Sequence, residues 1–276
     1  MIVDSHVHIL PPEMRDARDR LGELDPWFDL CHRGGRTILT ADELLATMDA
    51  TGIGRAICFG WPFADAAHCA AVNDHLIEVQ GAHADRLTCF ATVNPAQPDV
   101  VDELRRCADG GLRGVGELNA DAQGFDLEGV SIDLAADACI DLGLPMVLHC
   151  SEPVGHDYPG KGTATPGRVA GFALRHPDLQ LVCAHLGGGL PFYAHMPEVA
   201  ALCRRLWFDT AAGPYLYTPS AYRTVADLCG ADRLLFGSDL PLLPARRYID
   251  ALAEADLTAA ERALIMGGNA LRLLGL

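Results

Sequence analysis

Six residues carry side chains able to ligate a metal or move a proton, and each closes a short apolar run. His6 and His8 end the first such run, Glu117 ends Gly114-Val115-Gly116-Glu117 and His149 ends Met146-Val147-Leu148-His149. His185 follows Leu181-Val182-Cys183-Ala184, and Asp239 follows Leu235-Phe236-Gly237-Ser238. If the runs are strands, side chains two apart share a face, so both imidazoles of His6-Val7-His8 reach one point. Three further strand ends would add a carboxylate and two imidazoles, and Asp239 a second carboxylate. Packed together without a cation, these groups would suffer desolvation and carboxylate repulsion, which a divalent metal relieves. Imidazoles plus carboxylates without a thiolate suit Zn²⁺, with Mn²⁺, Fe²⁺ or Ni²⁺ as alternatives. The expected metal set is His6, His8, Glu117, His149, His185 and Asp239, holding one ion or a bridged pair.

The elements that must position these residues repeat along the chain. β-Branched or apolar runs at 2–6, 56–60, 87–93, 114–118, 146–149, 179–184, 206–209 and 234–237 read as eight strands. Helical patterns fall between them at 41–50, 66–81, 99–108, 132–142, 166–175, 197–204, 219–228 and 245–253, and a last one spans 258–274. Thr40-Ala41-Asp42-Glu43 is a capping box opening the first, and Gly52 stops it. Strand and helix alternating eight times describe a single-domain α/β protein, a (β/α)₈ TIM barrel over residues 1–276. A doubly wound open sheet is the competitor, but no GxGxxG follows the first strand. The connections 10–39 and 150–165 are long, and long strand-to-helix loops of such barrels gather on the face where active sites form.

These residues, with Ala184-His185-Leu186-Gly187-Gly188 and Gly237-Ser238-Asp239-Leu240-Pro241, resemble the amidohydrolase superfamily, and within it the amidohydrolase-related (type 2) branch, over the whole chain. The resemblance implies that His6, His8 and Asp239 bind the more buried ion, and that His149 and His185 bind a second ion or touch substrate. It also implies that the aspartate shuttles a proton from the attacking water. Two departures stand out. Many relatives bridge two metals with a carboxylated lysine, whereas the sole lysine here, Lys161, lies in a loop. Glu117 holds the fourth-strand position instead, as in the TatD-like branch, whose pattern Ser151-Glu152-Pro153 and Gly187-Gly188-Gly189 do not match. The chain also opens at its first strand, so the flanking β-sandwich of larger amidohydrolases is expected to be absent.

The activity expected from this set is metal-assisted hydrolysis of an ester, lactone, amide or C–N bond in a small molecule. Asp239 would act as general base and His185 would polarise the substrate oxygen. The alternative is metal-dependent, non-oxidative decarboxylation of an aromatic or unsaturated acid, known in the same branch; Glu117 and the shorter chain weigh against it. A barrel that binds metal without turnover ranks third. For substrate contacts the candidates are Lys161, an ammonium between Gly160 and Gly162, together with Trp61 and His156. His32 and His195 also belong above the barrel mouth, while His68, His75, His83 and His176 read as solvated or helix-terminal. Gly187-Gly188-Gly189 reads as a tight turn ahead of a ligand cradle.

Composition narrows the partners. A net charge of −16, from 37 acidic and 21 basic residues, argues against nucleic acid and against anionic membranes. No apolar run approaches the roughly 18 residues that span a bilayer. The N-terminus lacks a signal peptide pattern, and a cytoplasmic location is expected. The ten cysteines form no CxxC pair and read as buried small hydrophobes. The expected partner is a small-molecule substrate, and a homo-oligomer is compatible with the composition.

Overall fold

The computed structural model describes residues 1–276. Eight parallel strands are formed by β1 (Ile2–His8), β2 (Ile53–Phe59), β3 (Leu87–Cys89), β4 (Val115–Leu118), β5 (Met146–Leu148), β6 (Leu181–Cys183), β7 (Trp207–Asp209) and β8 (Leu234–Leu235). Ladder pairing runs β1-β2-β3 and β4-β5-β6-β7-β8. Backbone bonds close both remaining seams. Ala91 N donates to Gly114 O at 2.8 Å and Gly116 N to Ala91 O at 2.9 Å, while Ser5 N reaches Phe236 O at 2.7 Å and His8 N reaches Leu240 O at 2.9 Å. The result is the closed barrel expected from the alternation of elements.

Binary pattern explains the two apolar cores. Cys58, Cys89, Met146, Leu148, Leu181, Cys183 and Phe208 face the surrounding helices. The alternate positions Ile57, Phe59, Phe90, Val147, Val182, Trp207 and Leu235 fill the barrel, and Ala270, Leu273 and Leu274 of the last helix plug one end. All ten cysteines are free, and nine are buried. No helix is long and apolar enough to cross a membrane.

Three local departures from the expected elements bear on the site. Strand β1 runs on to His8, with a register irregularity between Asp4 and Val7. Val3 and His6, three apart, therefore both reach the barrel interior. The stretch 10–39 is not an open loop but carries the short helices Pro12–Asp16, Arg18–Leu24 and Pro26–His32. Asp25 caps the third, its carboxylate accepting from Phe28 N at 2.8 Å, and Pro26 occupies the first turn. The last helical stretch is broken at Leu264–Gly268, where a Cβ on Gly267 would lie 2.5 Å from Met1 O. The first strand packs against backbone there, which excludes a continuous helix of larger residues.

Candidate metal centre

The six strand-end groups meet at one point. Asp239 Oδ1 lies 3.5 Å from both His6 Nε2 and His8 Nε2. Glu117 stands opposite, its Oε1 3.9 Å from His6 Nε2 and its Oε2 3.7 Å from His8 Nε2. His149 Nδ1 and His185 Nε2 approach Glu117 Oε1 at 3.1 and 3.0 Å. Two subsets, His6–His8–Asp239 and His6–Glu117–His185, have donor atoms close enough to share an ion.

Each ring is fixed by its other nitrogen. His6 Nδ1 meets Asp209 Oδ2 at 2.9 Å and His8 Nδ1 meets Gly60 O at 2.9 Å, so both Nε2 atoms point at the cluster. His185 Nδ1 meets Ala211 O at 3.2 Å. His6 Nε2 is buried and has no hydrogen-bond partner. An orphaned imidazole nitrogen facing two carboxylates is the environment a divalent cation completes, and the donor chemistry fits.

Backbone strain gathers at the same place. The non-glycine residues with positive φ are His185, Leu186, Ala212 and Asp239. Val182 and Ala184 occupy the inward row of β6, so simple alternation would turn His185 away from the barrel axis. The left-handed turn at φ 58° brings its imidazole back, stabilised by His185 N donating to Asp209 Oδ1 at 2.8 Å. At Asp239, φ 54°, the amide donates to His6 O at 2.9 Å. Gly188 serves packing: a Cβ there would sit 2.5 Å from Ser151 O, so this turn presses against the loop after β5.

Electrostatically the cluster is a set of mutually neutralising groups. Burial would lower the pKa of His6, but Asp209 and Glu117 override it and raise it to about 9. For His185 burial is likewise outweighed, here by the hydrogen bond and charge of Glu117, and the value rises to about 10. Burial would raise Asp239, yet the His8 hydrogen bond and the charge of His6 hold it at about 2. Protons on the imidazoles compensate the carboxylates, and a metal ion entering must displace them.

Above the cluster opens a cavity of about 500 Å³, walled by Trp27, His32, Trp61, Tyr158, Tyr215 and Leu242 among others. Trp61 thus stands where the sequence put it, and His32 lines the wall too. Lys161 and His156 do not line this cavity, and both assignments to the substrate need correction. The Lys161 ammonium donates to Val154 O and His156 O, each at 3.1 Å, and lies 3.9 Å from Glu152. A lysine flanked by glycines folds back onto its own loop because backbone carbonyls offer nearer acceptors than the cavity does. The His156 ring packs edge-on against Tyr215, with centroids 5.0 Å apart. Two residues escaped the sequence reading. Asp209 ends β7 and satisfies the same strand-end rule as the others; Arg36 is the sole arginine or lysine on the cavity wall.

Comparison with known proteins agrees with this geometry. The profile of the Amidohydrolase family matches residues 3–276. Among curated proteins, the 2-amino-3-carboxymuconate-6-semialdehyde decarboxylase of Dictyostelium discoideum is 25% identical over 74% of this chain and 66% of its own. The gamma-resorcylate decarboxylase of Rhizobium sp. (strain MTP-10005) is 27% identical over 91% of each. The 5-carboxyvanillate decarboxylase of Novosphingobium aromaticivorans, solved with bound manganese and 3-methoxy-4-hydroxy-5-nitrobenzoic acid, superposes with a TM-score of 0.82 at 19% identity, covering 100% of this chain and 97% of that one. With the barrel, the strand-end cluster and a profile match across nearly the whole sequence, the chain belongs to the Amidohydrolase family.

Proposed function

We propose that the protein is a metal-dependent lyase that removes CO₂ from a small aromatic or unsaturated carboxylic acid without oxidation. This corrects the expectation of hydrolysis, because curated relatives 25–27% identical to the chain are decarboxylases. That finding carries the reading. The two features that weighed against it lose their force. Glu117 accepts hydrogen bonds from His149 and His185, so its presence needs no second, bridging ion. The chain is shorter than the gamma-resorcylate decarboxylase, yet the alignment still spans 91% of each, so the difference lies in insertions along a shared barrel.

His6, His8 and Asp239 would hold the metal, with Glu117, His149 and His185 completing its surroundings. When bound, a divalent ion supplies the positive charge that fixes and neutralises the substrate's oxygens. Manganese is the ion in the superposing decarboxylase, and the imidazole-rich donor set equally suits zinc. Reconstitution with each distinguishes the two.

The chain's own residues supply the rest. Trp27, Trp61 and Tyr215 line a slot suited to a planar, largely apolar ring. Arg36, on the rim of that slot, pairs with a second anionic or hydroxyl substituent. The carbon–carbon bond to the carboxylate breaks, its electron pair stays on the ring carbon, and CO₂ leaves. One proton must reach that carbon, and Asp239 and His185, on the cavity floor, are the groups placed to hold it.

The test is incubation of the manganese- and zinc-loaded protein with gamma-resorcylate, 5-carboxyvanillate and related acids in D₂O. The expected result is CO₂ release with one deuterium at the vacated carbon. Absence of CO₂ from every acid, with turnover of esters, lactones or amides, would overturn the proposal.

A further inference from the structure

We propose that Asp209 is a positioning residue that fixes His6 in the single ring form able to ligate the metal. Asp209 ends β7, is 0% exposed and touches two other strands. Its Oδ2 lies 2.9 Å from His6 Nδ1, and its Oδ1 accepts from His185 N at 2.8 Å and Ala211 N at 3.1 Å. The two oxygens divide the work. Oδ1 holds the left-handed backbone that turns His185 into the site. Oδ2 addresses the ring of His6.

A carboxylate offers acceptors only, so the hydrogen between Asp209 and His6 resides on Nδ1. The lone pair for a metal is then on Nε2, the buried atom without a partner, 3.5 Å from Asp239 Oδ1 and 3.9 Å from Glu117 Oε1. No other side chain contacts His6 Nδ1 within hydrogen-bond range. The ring form that presents Nε2 therefore depends on one atom of one residue.

Asp209→Asn separates this role from simple bracing. Two backbone amides converge on the Oδ1 position, so the amide oxygen must occupy it and the NH₂ must face His6. A donor facing Nδ1 demands a lone pair there and moves the ring hydrogen to Nε2, which blocks ligation. The bonds to His185 N and Ala211 N survive, and with them the local fold.

The experiment has two readouts beyond turnover. In the zinc-loaded wild-type protein, ¹⁵N-histidine NMR, with His6 assigned by its loss in His6→Gln, should show hydrogen on Nδ1 and the metal on Nε2. Competition with a chelator should show manganese and zinc bound roughly 10–100-fold more weakly by Asp209→Asn, while the melting temperature of its metal-free form stays within a few degrees of wild type. Hydrogen found on Nε2 in the wild type, no uptake of metal by the wild type, or unchanged affinity in the variant would each overturn the proposal. Should the variant fail to fold, the wild-type NMR result decides alone. None of these readouts depends on which reaction the protein catalyses.

Discussion

The strand ends that form the floor of the cavity and the two long connections that form its walls differ in what holds their side chains. On the floor three of the four imidazoles are fixed from other parts of the barrel: His6 by Asp209, His8 by Gly60 just after β2, His185 by Asp209 and Ala211. On the walls the groups are held from within their own segment. Arg36 donates to Cys31 O, Tyr158 to Glu152, and Lys161 to the carbonyls of Val154 and His156. Floor residues are thus set by the barrel itself, and wall residues by local turns that could be exchanged without disturbing it. Substitutions on the floor should therefore act on metal binding and on the rate of bond cleavage, and substitutions on the walls on substrate affinity.

The largest effect is expected from Asp239→Asn. The amide keeps the volume and one oxygen but cannot carry the proton that the proposed decarboxylation delivers to carbon, so kcat should fall about 10²–10⁴-fold. Metal content, measured alongside, separates the two functions of this residue. Full metal occupancy with the loss of rate assigns the proton to Asp239, whereas loss of the ion restricts it to ligation. Retention of full activity would break the contrast between floor and wall at its strongest point.

Arg36→Ala tests the walls. The guanidinium is exposed and makes one bond to a carbonyl in its own segment, so its removal should leave stability and metal content unchanged. For a substrate with a second anionic group, KM should rise about 10–100-fold, the range of a charge-assisted hydrogen bond, with kcat within a few-fold. A substrate lacking that group should show no such change. A fall in kcat with KM constant would move Arg36 from recognition to chemistry.

The same division explains what the sequence could disclose. Alternating apolar runs and helical stretches repeat eight times, so the barrel and the strand-end location of all six cluster positions are legible in the sequence. The inward turn is not legible for every one of them. Counting alternate residues would turn His185 outward after β6 and Glu117 outward from Val115, and a left-handed turn in one case and a register shift in the other, neither written in periodicity, bring them in. Asp209 satisfies the strand-end rule as well, but its carboxylate orients ligands from behind them, and spacing does not distinguish a group that ligates from one that orients. The walls were illegible for a different reason. Whether Lys161 or Arg36 faces the cavity depends on which carbonyls each can reach within a folded connection, and spacing carries no such information. The three short helices before His32 were likewise masked by their brevity, although Asp25-Pro26 was a start signal.

A smaller effect is expected from His32, which stacks on Phe28 with ring centroids 4.2 Å apart. Burial, aided by the charges of His8, Arg18 and Arg36, lowers its pKa from 6.5 to about 4 in spite of the hydrogen bond to Phe28 O. The unfolded chain takes up a proton near pH 6.5 while the folded chain does not, so its contribution to stability is complete above pH 6.5. That contribution is lost as pH falls from 6.5 to about 4. The full loss amounts to about 3 kcal/mol, of which about 2 falls between pH 7 and pH 4.5. Urea unfolding of the chelator-treated protein at pH 7 and pH 4.5 measures it, and His32→Phe, which keeps the stacking, should lose that part of the pH dependence. An identical pH dependence in the variant would mean that the wall around Trp61 is wetter than its packing indicates.

The smallest effect belongs to Lys161→Met, and it sharpens the comparison most directly, since Lys161 and Arg36 are both cations of long connections. The ammonium is spent on two carbonyls at 3.1 Å and faces the ring of Tyr158 at 5.7 Å. Methionine keeps an unbranched stem but no donor, so the loop loses bonds that hold its turn. Half-exposed polar contacts of this kind are worth about 1 kcal/mol. The consequence for substrate is indirect, through Tyr158, Pro159 and Gly160, which line the cavity next to it. KM should therefore change by less than about 3-fold, a shift under 1 kcal/mol, and equally for an anionic substrate and its neutral analogue. Faster proteolytic cleavage between residues 150 and 165 should accompany that change. A selective rise for the anionic substrate, equal to that of Arg36→Ala, would show that the loop reopens in solution and frees its ammonium for the cavity.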